Sequence, residues 1–151
     1  STSCTIGSNL TVTGTTSVAN VNSTGITTAS KFIGDLSDAV AGRWTIGNNG
    51  ASNYVFTGPG GLSNASNSTL YLARGQTYEF NMNASGHGFG IQTVSGSWSS
   101  GNEYTTGITN AQAAVGVIKF AVPYSAPNTL YYACTSNHGG MVGSLVIYPS
   151  I

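Results

Sequence analysis

The sequence predicts an all-β protein in which an extended N-terminal β segment precedes a β-sandwich. Turn-forming residues recur roughly every 8–12 residues over positions 43–151, and no helix-period pattern of useful length is present. The aromatic residues are concentrated in the same part of the chain. Fourteen of the fifteen lie at Trp44 or beyond, and Phe32 is the only earlier one. We therefore expect two domains, residues 1–42 and residues 43–151.

Residues 1–42 lack the large side chains that a thick core requires, since each buried aromatic side chain covers about 150–250 Å². Small apolar residues such as Val12, Val21 and Ile26 are spaced among hydroxyl residues, and Gly14 and Gly25 mark turns. Short β-steps between glycines are typical of an intertwined bundle of chains. We expect this segment to be extended and to oligomerise, and the alternative is a flexible Ser/Thr-rich linker.

From Arg43 onward the sequence predicts short strands between turns. Along the last strand, alternation places Leu145 and Ile147 in the core, with Val146 and Tyr148 facing outward or onto a neighbour. A turn with the sequence Gly-Pro-Gly-Gly at residues 58–61 follows the second strand. The predicted strands cover residues 44–46, 53–57, 69–72, 77–82, 89–94, 114–122, 129–133 and 143–148.

Only eight of the 151 residues are charged, four of each sign, so the formal net charge is zero. Soluble domains usually contain about 25% charged residues, whereas this chain contains 5%. No basic run is present to bind nucleic acid, and no apolar stretch approaches the roughly 20 residues of a membrane-spanning helix. We expect neither a nucleic-acid partner nor a membrane span. The chain begins without Met or a signal-peptide pattern, which we interpret as a processed product or part of a longer protein.

Both histidines and one of the two cysteines lie in two short stretches of the predicted sandwich. His87 lies between the strands at 77–82 and 89–94, whereas Cys134, His138 and Met141 share the loop before the last strand. Two imidazoles, a thiolate and a thioether are the ligand set of a mononuclear copper site, with His₂Cys in a plane and Met as a long axial ligand. These residue types therefore favour a copper site.

Each of these residues also has a simpler interpretation. One alternative for His87 is an ordinary histidine on the rim of the sandwich, and one for Met141 is core filling. Cys134 is alternatively a buried free thiol or the partner of Cys4 in a disulfide. Such a disulfide would prevent copper binding, because a disulfide sulfur is not a thiolate ligand.

We expect no enzymatic activity from this chain. None of its four carboxylates is adjacent in sequence to a histidine, and Glu79 and Glu103 are isolated from each other. No phosphate-binding loop of the type Gly-x-x-x-x-Gly-Lys is present. Metal binding or a structural role is therefore favoured over hydrolysis or phosphoryl transfer.

Residues 44–149 resemble the cupredoxins, the plastocyanin-like Greek-key sandwiches. The resemblance is carried by Tyr131-Tyr132-x-Cys134 with His138-x-x-Met141-Val142-Gly143, and by Gly75-Gln76-Thr77-Tyr78-x-Phe80. It implies a Greek-key cupredoxin-like β-sandwich with copper as cofactor, and the implied metal ligands are His87, Cys134, His138 and Met141. Two features depart from the common pattern of that family. Three residues separate Cys134 from His138, and Gly88 follows His87 where Asn is frequent.

Residues 9–14 have the sequence Asn-Leu-Thr-Val-Thr-Gly, and residues 32–36 have the sequence Phe-Ile-Gly-Asp-Leu. With these motifs, residues 8–36 resemble repeats in tail-fibre and other virion proteins of cyanophages and related marine bacteriophages. The resemblance implies fibrous β-structure, often trimeric. We therefore expect a homo-oligomer, with a trimer favoured, that contacts other virion proteins through residues 1–42 and is located in the virion.

Taken together, the two resemblances favour a structural component of a bacteriophage virion, such as a fibre, an appendage or a capsid decoration, that displays a cupredoxin-like domain. The alternative function is a soluble copper-binding electron-transfer protein, for which the few scattered charges offer little docking complementarity. A further possibility is contact with a host-surface receptor or carbohydrate, with Trp98, Tyr104 and Tyr124 as stacking surfaces.

Overall fold

The computed structural model describes residues 40–149, which form ten β-strands and one 3₁₀ turn at Ser100–Asn102. The strands are β1 (Gly42–Asn49), β2 (Asn53–Gly58), β3 (Leu62–Ser66), β4 (Leu70–Ala73), β5 (Thr77–Asn83), β6 (Phe89–Gln92), β7 (Ile108–Thr109), β8 (Val115–Ala121), β9 (Thr129–Cys134) and β10 (Val142–Tyr148). Within this part of the chain there is no α-helix and no helix able to cross a membrane. The all-β prediction is confirmed for these residues, whereas the predicted fibrous segment lies outside them except for residues 40–42.

The strands form two mixed sheets. One has six strands in the order β3-β2-β1-β5-β8-β7, and the other has four in the order β4-β10-β9-β6. Two neighbouring pairs, β1 with β5 and β4 with β10, are parallel, and the others are antiparallel. The chain passes from the six-stranded to the four-stranded sheet between β5 and β6. His87 lies on that connection.

Aromatic side chains from both sheets fill the core. Phe89 of β6 and Tyr132 of β9 stack with their ring centroids 4.9 Å apart. Tyr54 and Phe56 of β2, in the other sheet, contact these two rings edge-on or tilted. All four side chains are fully buried. Since each such ring buries about 150–250 Å², this cluster contributes strongly to holding the two sheets together.

The burial of β10 follows the predicted alternation. Leu145 and Ile147 are buried, Val146 is half-buried, and Tyr148 is 51% exposed. The strand lies between β4 and β9, and Leu145 pairs with Leu70 on one side and Leu130 on the other. A slip of one residue would turn the apolar set away from the core, so burial fixes the register of this strand.

Two strands, β3 and β7, are not among the eight predicted. Both lie at edges of the six-stranded sheet. The sequence of β3 is Leu-Ser-Asn-Ala-Ser, in which Asn64 has a φ of 49° and no residue is fully buried. β7 has only two residues. Neither strand has a fully buried residue, so neither sequence shows apolar alternation, whereas the edge strands β4 and β6 of the other sheet have buried residues and were predicted.

β6 ends at Gln92, two residues earlier than predicted, because the Gln92 side chain organises a turn. Its amide is fully buried, donates to the carbonyl oxygen of Gly96 at 2.9 Å and accepts from the backbone N–H of Ser99 at 3.1 Å. The buried amide therefore has both of its hydrogen-bonding ends satisfied inside the loop, which makes its burial tolerable.

The three aromatic residues predicted as stacking surfaces have different environments. The indole of Trp98 lies so close over Gly90 of β6 that a Cβ at Gly90 would collide with the ring. Tyr104 packs edge-on against the core residue Phe120, with ring centroids 6.2 Å apart. Tyr124 is 73% exposed. Trp98 and Tyr104 are thus packed against the sandwich, and of the three only Tyr124 presents most of its surface to solvent.

Candidate metal centre

Three of the predicted ligands lie within reach of a single ion. The Nδ1 atoms of His87 and His138 are 3.0 Å apart. The Sγ atom of Cys134 is 3.7 Å from Nδ1 of His87 and 3.4 Å from Nδ1 of His138. The structure therefore brings together a residue from the β5–β6 connection, the last residue of β9 and a residue from the β9–β10 loop, although 47 positions separate His87 from Cys134 in sequence.

A turn and a buried tyrosine position His87. The backbone N–H of His87 donates to the carbonyl oxygen of Ala84 at 2.8 Å, which closes the turn after β5. The hydroxyl of Tyr54 lies 3.1 Å from the carbonyl oxygen of His87 and 2.9 Å from that of Gly88. Tyr54 is fully buried. Burial, with a smaller contribution from neighbouring Cys134, raises the pKa of this phenol far above its usual range, so the hydroxyl keeps its proton and remains a donor.

Two consecutive turns form the loop that carries the other ligands. The backbone N–H of Asn137 donates to the carbonyl oxygen of Cys134 at 3.0 Å, and the backbone N–H of Met141 donates to the carbonyl oxygen of His138 at 2.9 Å. The N–H of Cys134 in turn donates to the carbonyl oxygen of Met141 at 3.0 Å, which closes the loop at its base. Asn137 has a φ of 60°, a conformation that Asn tolerates better than most residues. The three-residue spacer between Cys134 and His138 is thus accommodated by a tight turn.

The two ligand-bearing segments are also bonded directly to each other. The backbone N–H of Thr135 donates to the carbonyl oxygen of Gly88 at 2.8 Å, and the hydroxyl of Ser136 donates to that of Gly86 at 2.9 Å. A Cβ at Gly88 would collide with the Thr135 side chain and the Gln112 backbone. Gly88 therefore allows the close approach of the segments, and this explains why a larger residue such as Asn does not follow His87 here.

Cys134 is buried, at 1% exposure, and it is a free thiol. The predicted alternative, a disulfide to Cys4, involves a residue outside the described range. The two histidines are half-buried. A buried sulfur flanked by two partly exposed imidazoles gives a site that is shielded on the thiol side and open to solvent on the histidine side.

The donor set differs from that of a closed structural zinc site and matches the equatorial set of a mononuclear copper site. Nitrogen and sulfur ligands lie about 2.0–2.3 Å from a bound zinc ion and hence roughly 3.3–3.8 Å from one another, close to the observed separations of 3.0–3.7 Å. Structural zinc sites are closed by a fourth Cys, His or carboxylate. Among residues 40–149 no fourth residue of these types joins the cluster. Two imidazoles and one thiolate are instead the equatorial set of a mononuclear copper site.

Met141 lies at the base of the same loop. It is fully buried, and its backbone is bonded to both His138 and Cys134. A methionine thioether is the usual weak axial ligand of a His₂Cys copper site. Its role as a ligand stays a prediction, as do the roles of the other three.

The sequence patterns did not point to Tyr54 as part of this site. Its hydroxyl contacts the backbone 33 and 34 positions further along the chain, and no local motif connects it with His87. The only available signal was a polar aromatic residue inside a predicted strand. A buried tyrosine usually needs a hydrogen-bond partner, but the sequence does not say which one.

Comparisons with known proteins give matches of fold at low identity. No family model and no curated protein matches the chain. The structure is similar to that of the copper protein rusticyanin from Thiobacillus ferrooxidans, with 15% sequence identity and a TM-score of 0.44 over 70% of this chain and 76% of that one. It is also similar to part of the McoA multicopper oxidase from Aquifex aeolicus, with 16% identity and a TM-score of 0.40 over 74% of this chain and 27% of that one.

Neither similarity assigns a family or a function to this chain. The copper assignment is based on the three ligand atoms of this chain. The resemblance of residues 8–36 to virion repeats has no support from the family models or the curated proteins.

Proposed function

We propose that this chain binds one copper ion at His87, Cys134 and His138, with Met141 as the axial ligand, and serves as a one-electron carrier. The observation that carries the proposal is the convergence of two imidazole nitrogens and one thiol sulfur within 3.7 Å of one another. Bound copper supplies a couple between Cu(II) and Cu(I) that accepts and returns a single electron.

The chain's own contribution is a ligand set held in place before any metal arrives. The loop is closed by its own backbone hydrogen bonds, and two further bonds join it to the His87 turn. The aromatic core of the sandwich is packed without a metal, so we expect the fold not to depend on a metal–ligand bond as a zinc finger does. A preformed ligand set of this kind would need little rearrangement to hold copper in either oxidation state.

We further propose that the chain is a carrier and not an enzyme. Glu79 is paired with Arg43 at 2.6 Å and with Lys119 at 3.6 Å, and Glu103 accepts a hydrogen bond from Gln112 at 2.7 Å. Both carboxylates of the sandwich therefore have partners other than the histidines. This favours ligand roles for His87 and His138 over acid–base roles.

A structural virion role for this chain stays a prediction. Its basis is the resemblance of residues 8–36, which lie outside the described range. A virion location, a trimer formed through residues 1–42, contact with other virion proteins and contact with a host receptor stay predictions. None of them conflicts with a copper site in the sandwich, because the predicted attachment segment and the ligand residues are separate in sequence.

Copper uptake and colour test the proposed function. Purified, reduced protein titrated with Cu(II) should bind one copper per chain and absorb in the visible range through its thiolate–copper bond, and voltammetry should show a reversible one-electron wave. Cys134→Ser should abolish the colour, because the thiolate provides the absorbing bond. The matched control is Cys4→Ser, which removes the other cysteine and should leave the colour unchanged. A wild-type protein that takes up no copper, or colour that survives Cys134→Ser, would contradict the proposal.

A further inference from the structure

We infer that Tyr54 and Asn67 form a brace that positions both ligand-bearing segments of the metal centre. The inference deepens the proposed copper site and rests on it. Neither residue is a ligand. Each is assigned a positioning role, because its side chain donates to the backbone of a segment that carries ligands.

Tyr54 fixes the first segment from the opposite sheet. It lies on β2, in the six-stranded sheet, and its side chain crosses the core to the connection that carries His87. There its single hydroxyl proton is shared between the carbonyl oxygens of His87 and Gly88, at 3.1 and 2.9 Å. The side chain is fully buried, so water cannot replace this donor if it is removed.

Asn67 fixes the second segment. Its side-chain amide nitrogen donates to the carbonyl oxygen of Gly140 at 2.7 Å, within the loop between His138 and Met141. Asn67 follows β3 and has a φ of 42°, a backbone conformation that Asn tolerates better than most residues. The bond spans 73 positions of sequence and ties the β3–β4 turn to the ligand loop.

The two residues are bonded to each other in both directions. The backbone N–H of Asn67 donates to the carbonyl oxygen of Tyr54 at 2.9 Å. The backbone N–H of Tyr54 donates to the side-chain oxygen of Asn67 at 3.0 Å. Both ends of the Asn67 amide are therefore used, one toward Tyr54 and one toward Gly140. One rigid pair thus holds the His87 side and the His138 side of the site at a fixed separation.

Paired variants separate positioning from stability. Tyr54→Phe removes only the hydroxyl. Its control is Tyr78→Phe, which removes another tyrosine hydroxyl from a largely buried side chain. Tyr78 lies near the start of β5, whereas His87 follows the end of that strand, and the Tyr78 hydroxyl accepts a hydrogen bond from the backbone N–H of Ala73. Asn67→Gly allows the positive φ but removes the side-chain amide. Its control is Asn64→Gly, which makes the same change at another asparagine with a positive φ, of 49°. Loss of outer partners of metal ligands typically costs about 10–100-fold in metal affinity.

We expect Tyr54→Phe and Asn67→Gly each to weaken Cu(II) binding by about tenfold or more and to shift the visible band, whereas the two controls leave affinity and band unchanged. Thermal unfolding of the metal-free proteins provides the comparison of stability. The brace is refuted if affinity and band stay at wild-type values in both test variants, or if each control changes them as much as its partner. If one test variant does not fold, the other decides the outcome.

A second measurement on the metal-free protein keeps this inference separate from the proposed function. In a full-length Cys4→Ser background Cys134 is the single thiol, and its rate of reaction with a small disulfide reagent reports how readily the two segments open. We expect Tyr54→Phe and Asn67→Gly to raise this rate several-fold and their controls to leave it unchanged. Equal rates in all variants would overturn the brace. Absence of copper uptake by the wild type with raised rates in the variants would overturn the copper carrier alone.

Discussion

Met141 differs from the other three predicted ligands in the kind of bond it can make. A thioether in the axial position of a copper site binds weakly and at long distance, so it tunes the metal more than it holds it. The backbone hydrogen bonds of Met141 to His138 and Cys134 do not involve the sulfur, so we expect the loop to keep its shape without it. Met141 is therefore the position at which redox behaviour and metal retention can be separated.

We expect Met141→Leu to retain one copper per chain and to raise the reduction potential, because an apolar side chain donates nothing to Cu(II). A shift on the order of 60 mV corresponds to a tenfold change in the relative affinity for the two oxidation states. Voltammetry of the copper-loaded variant measures it. Met82→Leu, at the other methionine, which is buried in β5, is the control and should leave the potential unchanged. Loss of copper in Met141→Leu would show that the sulfur anchors the metal.

At the scale of single residues, the candidate metal ligands could be predicted from the sequence, but the residues that position them could not. His, Cys and Met are informative because this chain contains only two of each, and few roles use all three together. Tyr54 and Asn67 belong to residue types that occur 8 and 14 times in the sequence. Their function depends on which backbone they contact, and that contact exists only after both sheets have assembled.

Among the elements, β10 carries the clearest link between sequence pattern and structure. We expect Leu145→Ala to lower the free energy of unfolding by about 2–5 kcal/mol, the usual range for a large core residue replaced by alanine. Val146→Ala, next to it on the opposite face and only half-buried, should cost much less. Urea denaturation of the metal-free proteins, with an unchanged slope, measures both. Equal losses at the two positions would show that the register of β10 differs from the one described.

The predictability of each element follows from how it is buried. β5 and β10 pair on both sides and alternate, so their sequences predict them closely. β3 and β7 are edge strands with little burial and no alternation, so they could not be predicted. The end of β6 was misplaced because Val94 reads as a strand residue, whereas the hydrogen bonds of Gln92 turn the chain before it.

At the scale of the whole molecule, the predicted division into a segment of residues 1–42 and a sandwich of residues 43–151 stays a prediction. β1 already begins at Gly42, which pairs with Tyr78, and the N–H of Ala41 donates to Thr77 at 2.7 Å. A fragment of residues 40–151 keeps these contacts. We expect that fragment to be a folded monomer and the full chain to associate, because residues 1–39 hold a single aromatic residue and few apolar ones.

Light scattering on the full chain and on the fragment measures the two masses at matched concentrations. The control is circular dichroism, which should show the same β-rich fold in both. A full chain that is monomeric at every concentration would contradict an oligomerising N-terminal segment. An associating fragment would instead place the interface on the sandwich.

The position of β10 between β4 and β9 determines the order of events during synthesis. β4 and β9 do not pair with each other and are joined only through β10, so the four-stranded sheet stays incomplete until residues 142–148 have left the ribosome. The loop that carries Cys134, His138 and Met141 gains its second flanking strand at the same moment. Non-local pairing of this kind delays folding. We therefore expect the metal centre to be among the last parts of the sandwich to form, and copper to bind only after residues 142–148 have been synthesised.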